Sequence, residues 1–137
     1  VRVVIDTNVL ISGLFWTGTP KQILNKARHG QIIFVTSESL LEELERILTR
    51  DDKPFKLSNT EVSRVISSLR EWAEVVQTDT RVSVCRDEGD NKVLECAIDG
   101  KAQQVITGDQ RLLEPQSFQG IRILSAADFL DELDEIG

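Results

Sequence analysis

Two aspartates in this 137-residue chain close runs of strand-forming residues. Asp6 follows Val3-Val4-Ile5, and Asp109 follows Val105-Ile106-Thr107-Gly108. In an open parallel sheet, ligands bind beyond the carboxyl ends of the strands, so both acids fall where chemistry is expected. Neither is set in a phosphate-cradling loop. The segment after Ile5 has no dinucleotide-binding glycines, and no P-loop pattern occurs. The single histidine, His29, falls at a predicted helix end, where it suits the surface or the helix dipole. Without a catalytic histidine, paired strand-end carboxylates point to a hard cation such as Mg²⁺ or Mn²⁺. Two unit charges ~4 Å apart repel by about 4 kcal/mol at an effective dielectric of 20, and a bound cation removes that cost.

Other acids have plainer explanations when taken singly. Asp6 itself could be a helix N-cap. Glu43 lies at one edge of a predicted helix stripe and Glu45 at the other, both where a solvated acid is ordinary. Asp87, Glu88 and Asp90 open another predicted helix, where acids favour the positive dipole end.

The elements that must position these groups follow from pattern. Val3-Val4-Ile5 reads as a strand buried on both faces. Thr19-Pro20 suits a helix start with Thr as N-cap and Pro next, and Gly30 is the matching stop. Ile32–Val35 is a second strand. Ser37 then caps a helix with core residues Leu40, Leu41, Leu44, Ile47 and Leu48. Ser58 and Glu61 have capping-box spacing, ahead of Val62, Val65, Ile66, Leu69, Trp72 and Ala73, with a short strand at Glu74–Gln77. Val93, Leu94, Ala97 and Ile98 mark a helix that stops at Gly100. Val105–Thr107 and Ile121–Leu124 are strands, and Ser125 caps a closing helix through Phe129, Leu130 and Leu133. Strands alternating with helices, without hairpin signals, predict an α/β fold. It is three-layered and Rossmann-like, a central parallel sheet with helices on both faces, in a single domain spanning 1–137.

Composition narrows the setting. The formal charge is −7 and the pI about 4.7, which argues against a non-specific coat on nucleic acid, since that needs basic residues to displace counterions. A concentrated acidic site with local basic strips fits better. Candidate strips are Lys21, Lys26 and Arg28 on one helix, and Arg46, Arg50, Lys53 and Lys56 after another, although a solvated face is the better explanation of them. Cys85 and Cys96 are too few and too far apart for a zinc or redox motif and read as reduced thiols. No apolar run approaches the roughly 18 residues of a membrane span, and Asp6 comes too early for a signal peptide, so a cytoplasmic location is expected.

Taken together, Val3-Val4-Ile5-Asp6-Thr7-Asn8-Val9-Leu10, Glu43 on a helix, Asp87-Glu88-Gly89-Asp90-Asn91 and Val105-Ile106-Thr107-Gly108-Asp109 resemble the PIN domain. The likeness extends through Gly120-Ile121-Arg122-Ile123-Leu124 to the capped last helix, and is strongest to bacterial and archaeal PIN proteins of toxin–antitoxin pairs. The resemblance implies that Asp6, Glu43, Asp90 and Asp109 hold Mg²⁺ or Mn²⁺ and hydrolyse RNA. It gives Thr107 and Asn8 supporting roles, and Gly108 the sharp turn that aims Asp109. It further implies an RNA substrate, an antitoxin partner and a homodimer. The acidic tail, Asp128 to Glu135, offers a basic partner a complementary face, though solvation explains it too.

One position departs from the pattern. Many relatives carry a further Asp two residues after the last acid, where this chain has Arg111. An arginine cannot bind a cation, and two uses are open to it: contact with phosphate, or pairing with Asp109 or a neighbour. A catalytically weak PIN scaffold or RNA-binding module therefore remains an alternative. A phosphohydrolase with Asp6 as nucleophile is a third reading. Its dehalogenase-type form wants Asp where Asn8 stands, and its receiver form wants a late lysine that is missing.

Overall fold

The structure is a computed structural model in which residues 1–50 and 57–136 are described. Lys53 and Lys56 of the second basic strip lie outside the described residues.

The elements run β1 (Arg2–Ile5), α1 (Thr7–Phe15), α2 (Thr19–Arg28), β2 (Ile33–Ser37), α3 (Glu38–Leu48), α4 (Asn59–Trp72), β3 (Glu74–Val76), α5 (Glu88–Asp99), β4 (Gln104–Ile106), α6 (Gln110–Leu113), β5 (Ser117–Phe118), β6 (Ile121–Leu124) and α7 (Ala126–Ile136). The sheet order is β3-β2-β1-β4-β6-β5. All neighbours are parallel except β5 and β6. The chain builds outward from β1 through β2 to β3, then crosses back to lay β4 on the opposite side of β1. The strand order thus reverses between β1 and β4, where a crevice opens at the carboxyl edge.

Alternation along the strands supplies both faces of the sheet. Val3, Ile5, Phe34, Ile106 and Leu124 join one core with Leu10, Ile23, Leu44, Leu69 and Phe129. Val4, Val35, Val105 and Ile123 join the other with Val93, Leu94, Ala97 and Leu112. Successive side chains on a strand point to opposite faces, so a sheet covered on both sides needs unbroken apolar runs. The α/β, Rossmann-like expectation is borne out.

Several local expectations hold at the level of single hydrogen bonds. Ser37 Oγ accepts from the Leu40 N–H at 3.2 Å. Ser58 and Glu61 form the reciprocal capping box, at 3.2 and 3.0 Å. Ser125 Oγ accepts from the Asp128 N–H at 3.1 Å. His29 caps the C-terminus of α2, its Nδ1 2.7 Å from the Asn25 carbonyl oxygen.

Three differ. The N-cap of α2 is Gly18, not Thr19: its φ of 130° favours glycine, and its carbonyl accepts from the Gln22 N–H at 3.2 Å. β2 continues to Ser37, because Thr36 and Ser37 pair with Val75 and Val76 of β3. The sheet is not wholly parallel. Gln119 and Gly120, at φ 50° and 82°, turn β5 back onto β6 as a two-residue hairpin.

Among the described residues, no helix is long and apolar enough to cross a membrane. Both cysteines are free thiols, Cys96 buried and pushed up to about 12 by desolvation.

Candidate functional site

The switch between β1 and β4 places Asp6 and Thr107 side by side. The Asp6 N–H donates to the Ile106 carbonyl (2.9 Å) and the Thr107 N–H to that of Leu124 (3.1 Å), so the ladder carries both to the sheet edge. Thr107 is fully buried. Its hydroxyl donates to Asp6 Oδ2 at 2.6 Å and accepts from the Asp109 N–H at 3.0 Å. One side chain thereby sets the Asp6 rotamer and the path of the backbone into Asp109. Asn8 also supports Asp6, but through its backbone N–H; the Asn8 side chain is exposed on the cleft wall.

Glu43 reaches the same place from α3. Its neighbour Leu44 is buried and Glu45 is exposed, whereas Glu43 is half-buried and accepts from Thr7 Oγ1 at 2.9 Å. The first turn of α5 brings Asp87, as N-cap to the Gly89 N–H (2.7 Å), and Asp90, which is 7% exposed. Gly89 lies against this cluster: a Cβ there would come within 2.7 Å of Glu43 Oε1 and 3.0 Å of Asp87 Oδ1, displacing those carboxylates. All four predicted acids, with Thr7, Asp87 and Arg111, line one cleft of about 150 Å³. A groove of about 700 Å³ beyond α6, lined by Gln110, Arg122 and Asp128 among others, is roomier but contains none of these acids. We place the candidate site by its chemistry rather than by size.

The long connection into α5 is strapped down along one helix face. Asn91 Oδ1 accepts from the Cys85 N–H (2.9 Å), the buried Glu95 from that of Val82 (2.9 Å), and Asp99 from those of Asp79 and Thr80 (2.7 and 2.9 Å). Residues four apart share a helix face, and these three fix the approach to Asp87 and Asp90.

Crowding shows in the acid strengths. Asp90 is raised to about 7 by burial, by its hydrogen bond with Asp109 and by the charges of Asp109, Asp87 and Asp6. Burial also raises Asp6, and Glu43 and Asp109 add to that, against the lowering donors Thr107 and Asn8. Asp109 is lowered, first by Arg111. Arg111 Nε and Nη2 each stand 3.3 Å from an Asp109 oxygen, and Nη2 is 3.9 Å from Asp87 Oδ2. Of the two uses left open by sequence, pairing with Asp109 is the one observed. The guanidinium favours negative charge on Asp109, while burial and the neighbouring acids disfavour it on Asp90.

Among the described residues, no three acidic, histidine or cysteine side chains stand as a ready liganding set. Each predicted acid instead has a neighbour: Thr107 for Asp6, Thr7 for Glu43, Arg111 for Asp109 and Asp109 for Asp90. In kind the donors fit a hard divalent cation, being carboxylate oxygens around a small polar cleft that Gly89 keeps open. Thr7, Asp87 and Gly89 were not singled out as site residues from sequence. Their only signal is adjacency to Asp6 and Asp90.

Comparison with known proteins places the chain. A family model described as PIN domain matches residues 2–111. An uncharacterized protein of Methanocaldococcus jannaschii, MJ1680, is 33% identical over 115 residues, covering 82% of this chain and 74% of its own. In three dimensions the chain is similar to one from the crystal structure of VapBC2 of Rickettsia felis bound to a promoter DNA fragment. The TM-score is 0.62 at 13% identity, over 90% of this chain and 97% of the other, a likeness of fold.

Proposed function

The chain belongs to the PIN-domain family, and from that premise we propose that it is a Mg²⁺- or Mn²⁺-dependent endoribonuclease, the toxin of a toxin–antitoxin pair. The observation that carries this reading is the convergence of Asp6, Glu43, Asp90 and Asp109 on one cleft at the sheet's switch point. These residues come from four separate stretches of the chain, and burial, the hydrogen bond with Asp109 and the charges of Asp109, Asp87 and Asp6 together push the Asp90 carboxyl up to about 7. A cluster that works against its own ionisation is what a cation site requires and a structural site avoids.

In this reading Asp6, Glu43, Asp90 and Asp109 hold the ion. Thr107 and Thr7 fix the carboxylates of Asp6 and Glu43 so that little reorganisation is needed. A divalent ion bound there lowers the pKa of a water and stabilises charge on the attacking and leaving oxygens of a phosphodiester. Arg46 and Arg50 border a groove of about 680 Å³ with Asn8, Glu43 and Asp87, suited to RNA phosphates on either side of the bond cut. The acidic α7 offers a basic antitoxin a complementary face. A cytoplasmic homodimer completes the proposal.

Purified protein should cleave a fluorescent single-stranded RNA with Mg²⁺ or Mn²⁺, stop in a chelator, and resume when metal is restored. Cleavage that is indifferent to the chelator removes the metal from the account. The alternative, an RNA-holding module with little turnover, is favoured by one observation, the engagement of Asp109 by Arg111. Tight RNA binding without cleavage at any metal concentration would select it.

A further inference from the structure

Arg111 stands on a wall shared by two cavities. On one side is the acid cleft, where its guanidinium meets Asp109 at 3.3 Å and Asp87 at 3.9 Å. On the other is a pocket of about 190 Å³ bordered by Val84, Cys85, Arg86, Asp90 and Leu112. The Arg111 side chain is 65% exposed, so little packing holds it in either direction.

We propose that Arg111 is a built-in counter-ion that competes with the divalent cation for Asp109, and that an RNA phosphate draws it off, opening the site to metal. This rests on the metal-nuclease reading above. A guanidinium at hydrogen-bond distance from both Asp109 oxygens occupies the lone pairs a cation would use and repels a second positive charge. The same planar fork matches the two non-bridging oxygens of a phosphodiester, which carries one negative charge as the Asp109 carboxylate does, so RNA competes with Asp109 for it on equal charge. Arg86 borders the same small pocket, so a phosphate there would meet two arginines, with the Asp90 carboxyl on the same wall. Arg111 is thus a positioning residue, one that leaves Asp109 for phosphate when substrate arrives. Metal then binds more weakly to the free protein than to the RNA complex, and by linkage RNA and metal reinforce each other.

The proposal gives Arg111→Gln effects of opposite sign in two measurements that involve no turnover. Mn²⁺ binding to the intact chain, read from the electron paramagnetic resonance signal of free Mn²⁺, should tighten by about 2- to 5-fold, as expected for loss of an exposed competing ion pair. Binding of a fluorescent 2′-O-methyl RNA oligonucleotide in a chelator, read by anisotropy, should weaken by ~3- to 10-fold, on the scale of one lost charged contact. Arg111→Lys keeps the charge but not the planar fork, and should fall between wild type and Arg111→Gln in both. The Mn²⁺ gain should vanish in the double variant with Asp109→Asn; a gain that persists there puts the ion elsewhere and overturns the proposal. Mn²⁺ binding unchanged or weakened in Arg111→Gln overturns it, as does unchanged oligonucleotide binding. No Mn²⁺ binding in either folded protein would remove the metal-nuclease reading, and this proposal with it.

Discussion

Replacing Asp90 by Asn should make the metal-free protein more stable at alkaline pH and leave it nearly unchanged in acid. Asp90 is 7% exposed, and burial, with the hydrogen bond to Asp109 and the charges of Asp109, Asp87 and Asp6, raises its pKa from 3.8 to about 7. The folded protein therefore holds this proton more tightly than the unfolded chain does. Where the native state binds more protons, stability falls as pH rises, here from about 4 through about 7. Full conversion of that rise would be about 4 kcal/mol. Water in the open cleft screens the charges, and the proton is shared with Asp109, so about 1–2 kcal/mol is the expected size. Asparagine keeps the shape and can donate to Asp109 as the protonated acid does. Urea unfolding in a chelator at pH 5 and pH 8 gives the comparison. Wild type should lose about 1–2 kcal/mol between the two, and Asp90→Asn should lose much less, with a melting temperature several degrees higher at pH 8. An equal pH dependence in both proteins would refute the charge-crowding argument. A variant less stable than wild type at pH 8 would make Asp90 a structural partner.

Other outcomes follow from the same contacts. Asp6→Asn in a chelator should change stability less than Asp90→Asn, because the relieved repulsion is offset by weaker acceptance from Thr107 and Asn8; unfolding in parallel tests this. Glu43→Gln should lower RNA cleavage by ~10²-fold, whereas the exposed Glu45→Gln should leave it within about 2-fold, on steady-state assays of both. Thr107→Val should cost about 1–3 kcal/mol in urea unfolding, leaving the Asp109 N–H and Asp6 Oδ2 without their partner, and should lower the cleavage rate more than it raises KM. Glu95→Ala should also cost about 1–3 kcal/mol, and hydrogen exchange should show residues 79–87 released, since the buried Val82 N–H loses its acceptor.

The sequence displayed its strands where they are buried twice over. Val3-Val4-Ile5 and Val105-Ile106 sit between two cores, so no polar alternation interrupts the run. Caps were legible where one side chain suffices, as at Ser37 and Ser58. They misled at Thr19, where the positive φ of Gly18 decides the boundary rather than the threonine. β5 left no mark, because two residues have no period and its turn uses Gln119 where Asn or Asp would announce it. The strand-end positions of Asp6 and Asp109 followed from pattern, but nothing periodic distinguishes Glu43 from Glu45. Burial beside Thr7 does so, and that is a tertiary fact. The stripe of Asn91, Glu95 and Asp99 was not read from the sequence, because its partners lie in a loop without pattern. Arg111 could not be placed, because the rotamer of an exposed arginine is chosen by its surroundings.

The central claim is that the clustered carboxylates hold the cation that cuts RNA. Its most direct measurement is the single-turnover cleavage rate of single-stranded RNA at saturating Mn²⁺, for wild type and for folded Asp6→Asn. The account predicts a fall of at least ~10²-fold in the variant, the scale of losing one preorganised electrostatic contact. Cleavage by Asp6→Asn at the wild-type rate, persisting in a chelator, would contradict it.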